Sequence, residues 1–200
     1  MTTDTTGDAK AASASRTDSF REGLVKEMPH LRAFAVSLCG NPHQADDLLQ
    51  ETLLKAWGHP GGFAAGTNLR AWLFTILRNT YYSLYRRRGR EVQDTDGMYS
   101  NQFATPPAQE SAIDLSEFRA ALHKLSDDQR EVLIMVGASG LSYEEAAEIC
   151  GVAVGTVKSR VNRARARMAT LLGLTSPSDL AGDRVTEAVV KKYDGGAFRT

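Results

Sequence analysis

The side chains best placed for chemistry lie between Lys158 and Arg167, where Lys158, Arg160, Arg163, Arg165 and Arg167 alternate with Val157, Val161, Ala164 and Met168. At about 100° per residue the four apolar positions form one stripe of a helix, and Ser159, Asn162 and Arg163 point away from it, flanked by Lys158, Arg160 and Arg165. Such a helix packs by one face and offers the other to phosphates and base edges. A second set, Arg78, Asn79, Tyr82, Tyr85 and Arg86, mixes guanidinium groups with aromatic rings, the combination that holds single-stranded nucleic acid by charge and stacking. A third set, Asp47, Gln50, Glu51 and Leu54, places one leucine among acids on a helix face. It suits a protein partner, although one scattered surface leucine is also ordinary.

Nothing comparable supports catalysis. His30, His43, His59 and His123 are dispersed, and no carboxylate and histidine set has metal-ligand spacing. Cys39 and Cys150 belong to no CxxC pair, so neither a zinc site nor a disulfide framework is expected. The expectation is a protein that is not an enzyme and has no cofactor.

The elements that must hold these groups are helices. Ser142 with Glu145 reads as a capping box at the start of one helix near Tyr143, with Ala146, Ala147 and Ile149 as its apolar positions. Gly151 supplies the left-handed residue that stops it, and the basic helix follows from about Gly155. Ser126 with Gln129 reads as a second capping box, for a helix from Asp127 to about Ala138 whose Val132, Leu133, Met135 and Val136 form a surface for the helix-turn-helix to rest on. Phe118, Leu122 and Leu125 give a short helix before it.

Earlier in the chain, Phe20, Leu24, Met28, Leu31, Phe34, Ala35 and Leu38 recur at helical spacing, with a break expected at Pro29 and a stop at Gly40. Asn41 caps the next helix, Pro42 takes its first position, and Ala45, Leu48, Leu49, Thr52 and Ala56 form its buried stripe. Residues 59–66 read as a glycine-rich loop. A long helix from Asn68 to about Arg88 packs through Trp72, Leu73, Ile76, Leu77, Thr80 and Leu84, which leaves Arg78, Asn79, Tyr82, Tyr85 and Arg86 on the other side; Tyr81 lies near the border.

The 200 residues carry 24 basic and 24 acidic side chains, a formal net charge of +0, but the distribution is uneven. Arg78, Arg86, Arg87, Arg88 and Arg90 form one basic block and Lys158 to Arg167 another, whereas residues 91–117 contain acids and no Lys or Arg. Local charge, not the total, decides what a surface attracts. The fold class expected is all-α: a disordered stretch over 1–18, a helical domain over 19–88, an acidic flexible linker over 89–116, a helix-turn-helix domain over 117–173 and a tail over 174–200. The N-terminus lacks the apolar run of a signal peptide and no stretch approaches a membrane span, so a cytoplasmic location with no membrane partner is expected.

Over residues 20–172 the chain resembles the extracytoplasmic-function class of RNA polymerase sigma factors in the sigma-70 family. Ala45-Asp46-Asp47-Leu48-Leu49-Gln50-Glu51-Thr52 with Ala56-Trp57 is similar to the segment that grips core polymerase, so the resemblance implies that Asp46, Asp47, Gln50, Glu51 and Leu54 bind it. Trp72-Leu73, Ile76, Arg78-Asn79 and Arg86-Arg87 are similar to the segment that melts and reads the minus-ten promoter element. That implies roles there for Arg78, Asn79, Tyr82, Tyr85, Arg86 and Arg87. Gly155-Thr156-Val157-Lys158-Ser159-Arg160 is similar to the recognition helix for the minus-thirty-five element, implying Thr156, Lys158, Ser159, Arg160, Asn162, Arg163 and Arg165. The family commonly has Asp four residues after the Asn of its Arg-Asn pair; here Ser83 stands there. The run from Arg78 to Ser83 looks closest to the alphaproteobacterial general stress response group, whose partner is a small helical anti-sigma factor. The implied function is promoter-specific initiation of stress-gene transcription under anti-sigma control. The alternative is a sigma-like decoy that sequesters the anti-sigma factor without binding promoters; such decoys carry a receiver domain, and about 28 residues after Leu172 fall short of one.

Overall fold

The computed structural model describes the backbone of residues 5–64, 66–92 and 115–174 and the side chains of residues 18–64, 66–85 and 117–174. Every described element is a helix: α1 (Thr5–Cys39), α2 (Pro42–Gly58), a short 3-10 turn (Pro60–Gly62), α3 (Leu69–Val92), α4 (Leu115–His123), α5 (Asp127–Gly137), α6 (Tyr143–Cys150) and α7 (Val154–Leu171).

Local signals set most of the boundaries. The side-chain oxygen of Asn41 accepts from the backbone N–H groups of His43 and Gln44, at 2.9 and 3.3 Å, which starts α2. Asn68 does the same for α3 through the N–H groups of Arg70 and Ala71. At α6 the capping box is made in full: Ser142 Oγ accepts from the Glu145 N–H at 3.0 Å, and the Glu145 carboxylate accepts from the Ser142 N–H at 2.8 Å. Gly151, at φ 67°, then closes α6 in the left-handed conformation. Ser126 differs from expectation. It occupies the N-cap of α5, but its side chain makes no capping bond; its backbone carbonyl alone accepts, from Gln129 and Arg130.

The first half, α1 to α3, packs Leu31, Phe34 and Leu38 of α1 against Leu48 of α2 and Leu73, Phe74 and Leu77 of α3. Phe34 and Phe74, both fully buried, stack at 4.7 Å between ring centroids. Truncating either to Ala would cost roughly 3–5 kcal/mol. The buried stripe of α2 is Ala45, Leu48, Leu49, Thr52 and Ala56, as its periodicity predicts. Helix α1 departs from its reading twice: it passes through Pro29 without a break, and its backbone is already helical from Thr5, inside the stretch expected to be disordered. Burial of Leu24 on one side of Pro29 and Leu31 on the other keeps the chain helical past the missing N–H.

In the second half α5 is the central element. Val132, Leu133, Ile134 and Met135 are at most 2% exposed, so four successive positions, which point to all sides of the helix, are buried. A helical turn that is apolar all round needs neighbours all round. Helices α6 and α7 supply one side, and α1 of the first half supplies another. The two halves therefore share a continuous core, with α3 also packed on α6. The expected linker over 89–116 falls within described residues only at its ends, where 89–92 continue α3 and Leu115 and Ser116 open α4; 93–114, and 175–200 of the expected tail, lie outside them.

Candidate functional site

Helix α7 divides as its periodicity predicts. Val157, Val161, Ala164 and Met168 have no exposed surface, while Lys158, Asn162, Arg163 and Arg167 are exposed on the other face. Ser159 sits between them, its hydroxyl donating to the Thr156 carbonyl and accepting from Arg163 at 3.3 Å. Thr156 is half-buried in the first turn. Lys158 lies over the Tyr143 ring, 5.7 Å from its centroid, so α6 fixes where this cation stands. Two of the expected contact residues are not free. Arg160 is ion-paired with Asp128 of α5 at 2.5 Å, and Arg165 is half-buried. Both lie close enough to the packed stripe for α5 or the helix body to cover them, which a count of cations cannot reveal.

On α2 the structure leaves Asp47, Gln50 and Glu51 exposed, and Leu54 is 64% exposed. Asp46 instead holds α2 to α1: its two carboxylate oxygens accept from Arg32 Nε and Nη2 at 2.7 and 3.1 Å. Glu51 pairs with Lys55 one turn on, at 3.2 Å. Beside this face runs a groove of about 440 Å³ between α1 and α2, walled by Leu24, Val25, Met28, Leu49, Leu53 and Leu54. Val25 is 60% exposed and Trp57 49%. Sequence reasoning missed Val25 because it belongs to no buried stripe; an apolar residue off the stripe of α1, matched by Leu54 off the stripe of α2, was the available signal.

Helix α3 departs most from the sequence reading. Tyr85 is 66% exposed and Asn79 is exposed, as expected; the side chains of Arg86 and Arg87 lie outside the described residues. Leu84, expected on the packed side, is 38% exposed. Arg78 and Tyr82 do not face solvent. Arg78 Nε donates to Glu131 of α5 at 2.5 Å, and the Tyr82 hydroxyl lies 3.5 Å from the other carboxylate oxygen. The Arg78 guanidinium also sits 4.8 Å over the Tyr82 ring. Glu131 is fully buried, and burial pushes its carboxyl up against the pull of Arg78 and, further away, Arg160. Burial, helped by the Glu131 carboxylate, pushes the Tyr82 hydroxyl up to about 12. Tyr81 donates to the Leu38 carbonyl at 3.2 Å and stacks on Tyr85, 6.1 Å between centroids. Periodicity identified the face of α3 that leaves its own half; the second half meets that face at Arg78 and Tyr82, and Asn79 and Tyr85 stay exposed.

Among the described residues no group of His, Cys, Asp and Glu is placed to hold a metal ion, and no helix is long and apolar enough to cross a membrane. Cys39 and Cys150 are not joined in a disulfide, and burial pushes Cys150 up to about 11, away from reactivity.

Comparison with known proteins shows the family. Residues 24–91 match the family described as Sigma-70 region 2, and residues 115–168 match Sigma-70, region 4. The chain is 55% identical to the ECF RNA polymerase sigma factor EcfG of Rhodopseudomonas palustris over 174 residues, which cover 87% of this chain and 96% of that one. It is 37% identical to the ECF RNA polymerase sigma factor SigC of Mycobacterium tuberculosis over 139 residues, 69% of this chain and 74% of the other. Among solved structures, the sigma factor RpoE of Bartonella quintana, in co-crystal with the anti-sigma factor NepR, superposes with a TM-score of 0.74 at 54% identity, covering 79% of this chain and 99% of that one. The chain belongs to the extracytoplasmic-function sigma factors of the sigma-70 family, within the general stress response group: a non-enzymatic protein that binds core RNA polymerase and directs it to promoters.

Proposed function

We propose that this sigma factor divides its work among three faces. The α2 face, Asp47, Gln50, Glu51 and Leu54 with the apolar groove beside it, docks core polymerase; Asp46 braces that face from its pair with Arg32. Helix α7 reads the upstream duplex through Lys158, Ser159, Asn162 and Arg163, with Thr156 at its entrance and Arg160 and Arg165 nearer the protein. Helix α3 meets the minus-ten strand through Arg78, Asn79, Tyr82 and Tyr85, and Arg86 and Arg87 continue the basic run. Residues 19–88 and 117–173 are the two working domains.

The observation that carries this reading is the division of α7. Four side chains without exposed surface fix its inner face, so the orientation of Lys158, Asn162 and Arg163 is set before DNA arrives. A recognition helix needs that preorganisation, because base contacts discriminate only when register is fixed. The relative from Bartonella quintana is held by an anti-sigma factor, and by that likeness a small protein of the same kind holds this chain off polymerase until stress releases it.

The test is binding of the polymerase complex to duplex DNA carrying the upstream element, followed against salt. Replacing an arginine that reads a base should cost about 1–3 kcal/mol, while removing a phosphate contact should reduce the salt slope by about 1. Variants Lys158→Ala, Asn162→Ala and Arg163→Ala that alter neither quantity would remove the assignment. A chain that binds the anti-sigma factor but never duplex DNA would favour the decoy alternative.

A further inference from the structure

Among the described residues Arg160 is the one cation of α7 held by an acid, and that acid belongs to another helix. Nη2 of Arg160 donates to Asp128, in the first turn of α5, at 2.5 Å. Lys158 rests on the Tyr143 ring instead, and Arg163 on the Ser159 hydroxyl. Arg160 lies at the border of the packed stripe, about 60° round the helix from Val157 and one turn before Arg163. The same side chain therefore touches α5 and keeps 22% of its surface open.

This pair is poorly suited to holding the fold. The inner faces of α5 and α7 are already fixed by Val132, Leu133, Val157 and Val161, none of them more than 2% exposed. The Asp128 side chain is 53% exposed, and an ion pair so open to water adds little to stability. Asp127 beside it already places negative charge on the first turn of α5 and pairs with Arg130 at 3.4 Å. What the pair does fix is a conformation. A free arginine side chain samples many rotamers, and Asp128 selects one of them before DNA arrives. It takes one of five N–H donors, and the planar group keeps two parallel N–H groups, the pattern that meets O6 and N7 of a guanine.

We propose that Asp128 is a positioning residue for promoter recognition: it presets Arg160 for one base edge of the upstream element and, as an exposed acid beside that arginine, repels phosphates that arrive out of register. This rests on the reading of α7 as the helix that meets the upstream duplex. Immobilising a free side chain on binding costs roughly two- to twelvefold in affinity, and Asp128 removes that cost from the matched site. Its charge weakens binding to any duplex. Removing the carboxylate therefore moves matched and unmatched binding in opposite directions. Loss of a fold contact would weaken both, and loss of a bare negative charge would tighten both.

The test measures the full chain on core polymerase against a duplex pool randomised through the upstream element, sequenced after selection, and against a promoterless duplex of the same length. Asp128→Ala should bind the best-selected sequence about three- to tenfold more weakly, with the lost preference confined to the base pair at which Arg160→Ala loses it. It should bind the promoterless duplex about twofold more tightly. Asp128→Asn keeps an acceptor for Nη2 and should keep most of the preference. In the Arg160→Ala background, Asp128→Ala should cause no further loss. The melting temperature of each Asp128 variant should stay within about 4 °C of wild type. An Asp128→Ala chain that moves both duplexes in the same direction, or spreads its loss over every position, overturns the positioning role. So does Arg160→Ala that leaves the preference intact while Arg163→Ala does not; α7 then still reads DNA, without Arg160. If Arg163→Ala and Lys158→Ala are silent too, the α7 reading itself fails and takes the proposal with it.

Discussion

The groove proposed to face polymerase allows the most quantitative prediction. Leu54 and Val25 are 64% and 60% exposed, so neither contributes much to the core, and replacing both by Ala should change folding stability by less than about 0.5 kcal/mol each. On docking, the exposed part of each side chain is buried against the partner. Leu→Ala removes about three methylene equivalents and Val→Ala about two, at about 0.8 kcal/mol each when fully buried. Scaled by the exposed fraction, that is about 1.5 kcal/mol for Leu54 and about 1 kcal/mol for Val25. The double variant should therefore lose about 2–3 kcal/mol of binding, a 30- to 150-fold rise in Kd. The assay is competition of unlabelled variants against a fluorescent chain for core polymerase, with thermal unfolding of each variant alongside. A double variant that keeps its affinity, or that loses several degrees of melting temperature, would refute the reasoning: the first result puts the interface elsewhere, the second puts these side chains in the core.

Further predictions concern single features. Gly151→Ala should cost about 1–2 kcal/mol in denaturant unfolding, from its φ of 67° alone, since an added Cβ meets no atom within 4 Å; Gly151→Asn should cost less. Ser142→Ala removes the capping box of α6 and should cost about 1 kcal/mol, whereas Ser126→Ala, whose hydroxyl makes no cap, should cost little by the same measurement. His123 is pushed down to about 4 by burial, with Arg130 and Arg119 adding to it. The unfolded chain binds that proton first, so the stability present at neutral pH should be lost as pH falls from about 6.5 to about 4, and His123→Gln should flatten that part of the melting-temperature profile. Tyr85→Ala should slow promoter opening followed by permanganate footprinting, because its exposed ring is available to stack, and Tyr85→Phe should stay near wild type.

The sequence disclosed those elements whose burial is one-sided. The stripe of α2 matches its periodicity residue for residue and that of α7 does so with Ala169 added, since each helix has one packed face and one wet face. It failed where a helix packs on two sides. Ile134 falls outside the surface expected on α5, and Phe74 lies on α3 beside the expected stripe; both are fully buried. The unbroken Val132–Val136 run and the acid next to it were the traces of that second contact. A buried Glu at the edge of an apolar run needs a cation, and Arg78 lies 53 residues away, a separation over which periodicity carries no information. Pro29 shows the same limit, because tertiary burial on both sides outweighed a local break signal.

The most direct measurement is run-off transcription by purified core polymerase on templates bearing the cognate promoter, with and without the full chain. Added chain should produce one promoter-specific transcript, and Lys158→Ala/Arg163→Ala should abolish most of it while core binding is retained. A chain that binds core polymerase but yields no promoter-dependent transcript, or a double variant that transcribes as well as wild type, would contradict the assignment of promoter recognition to α7.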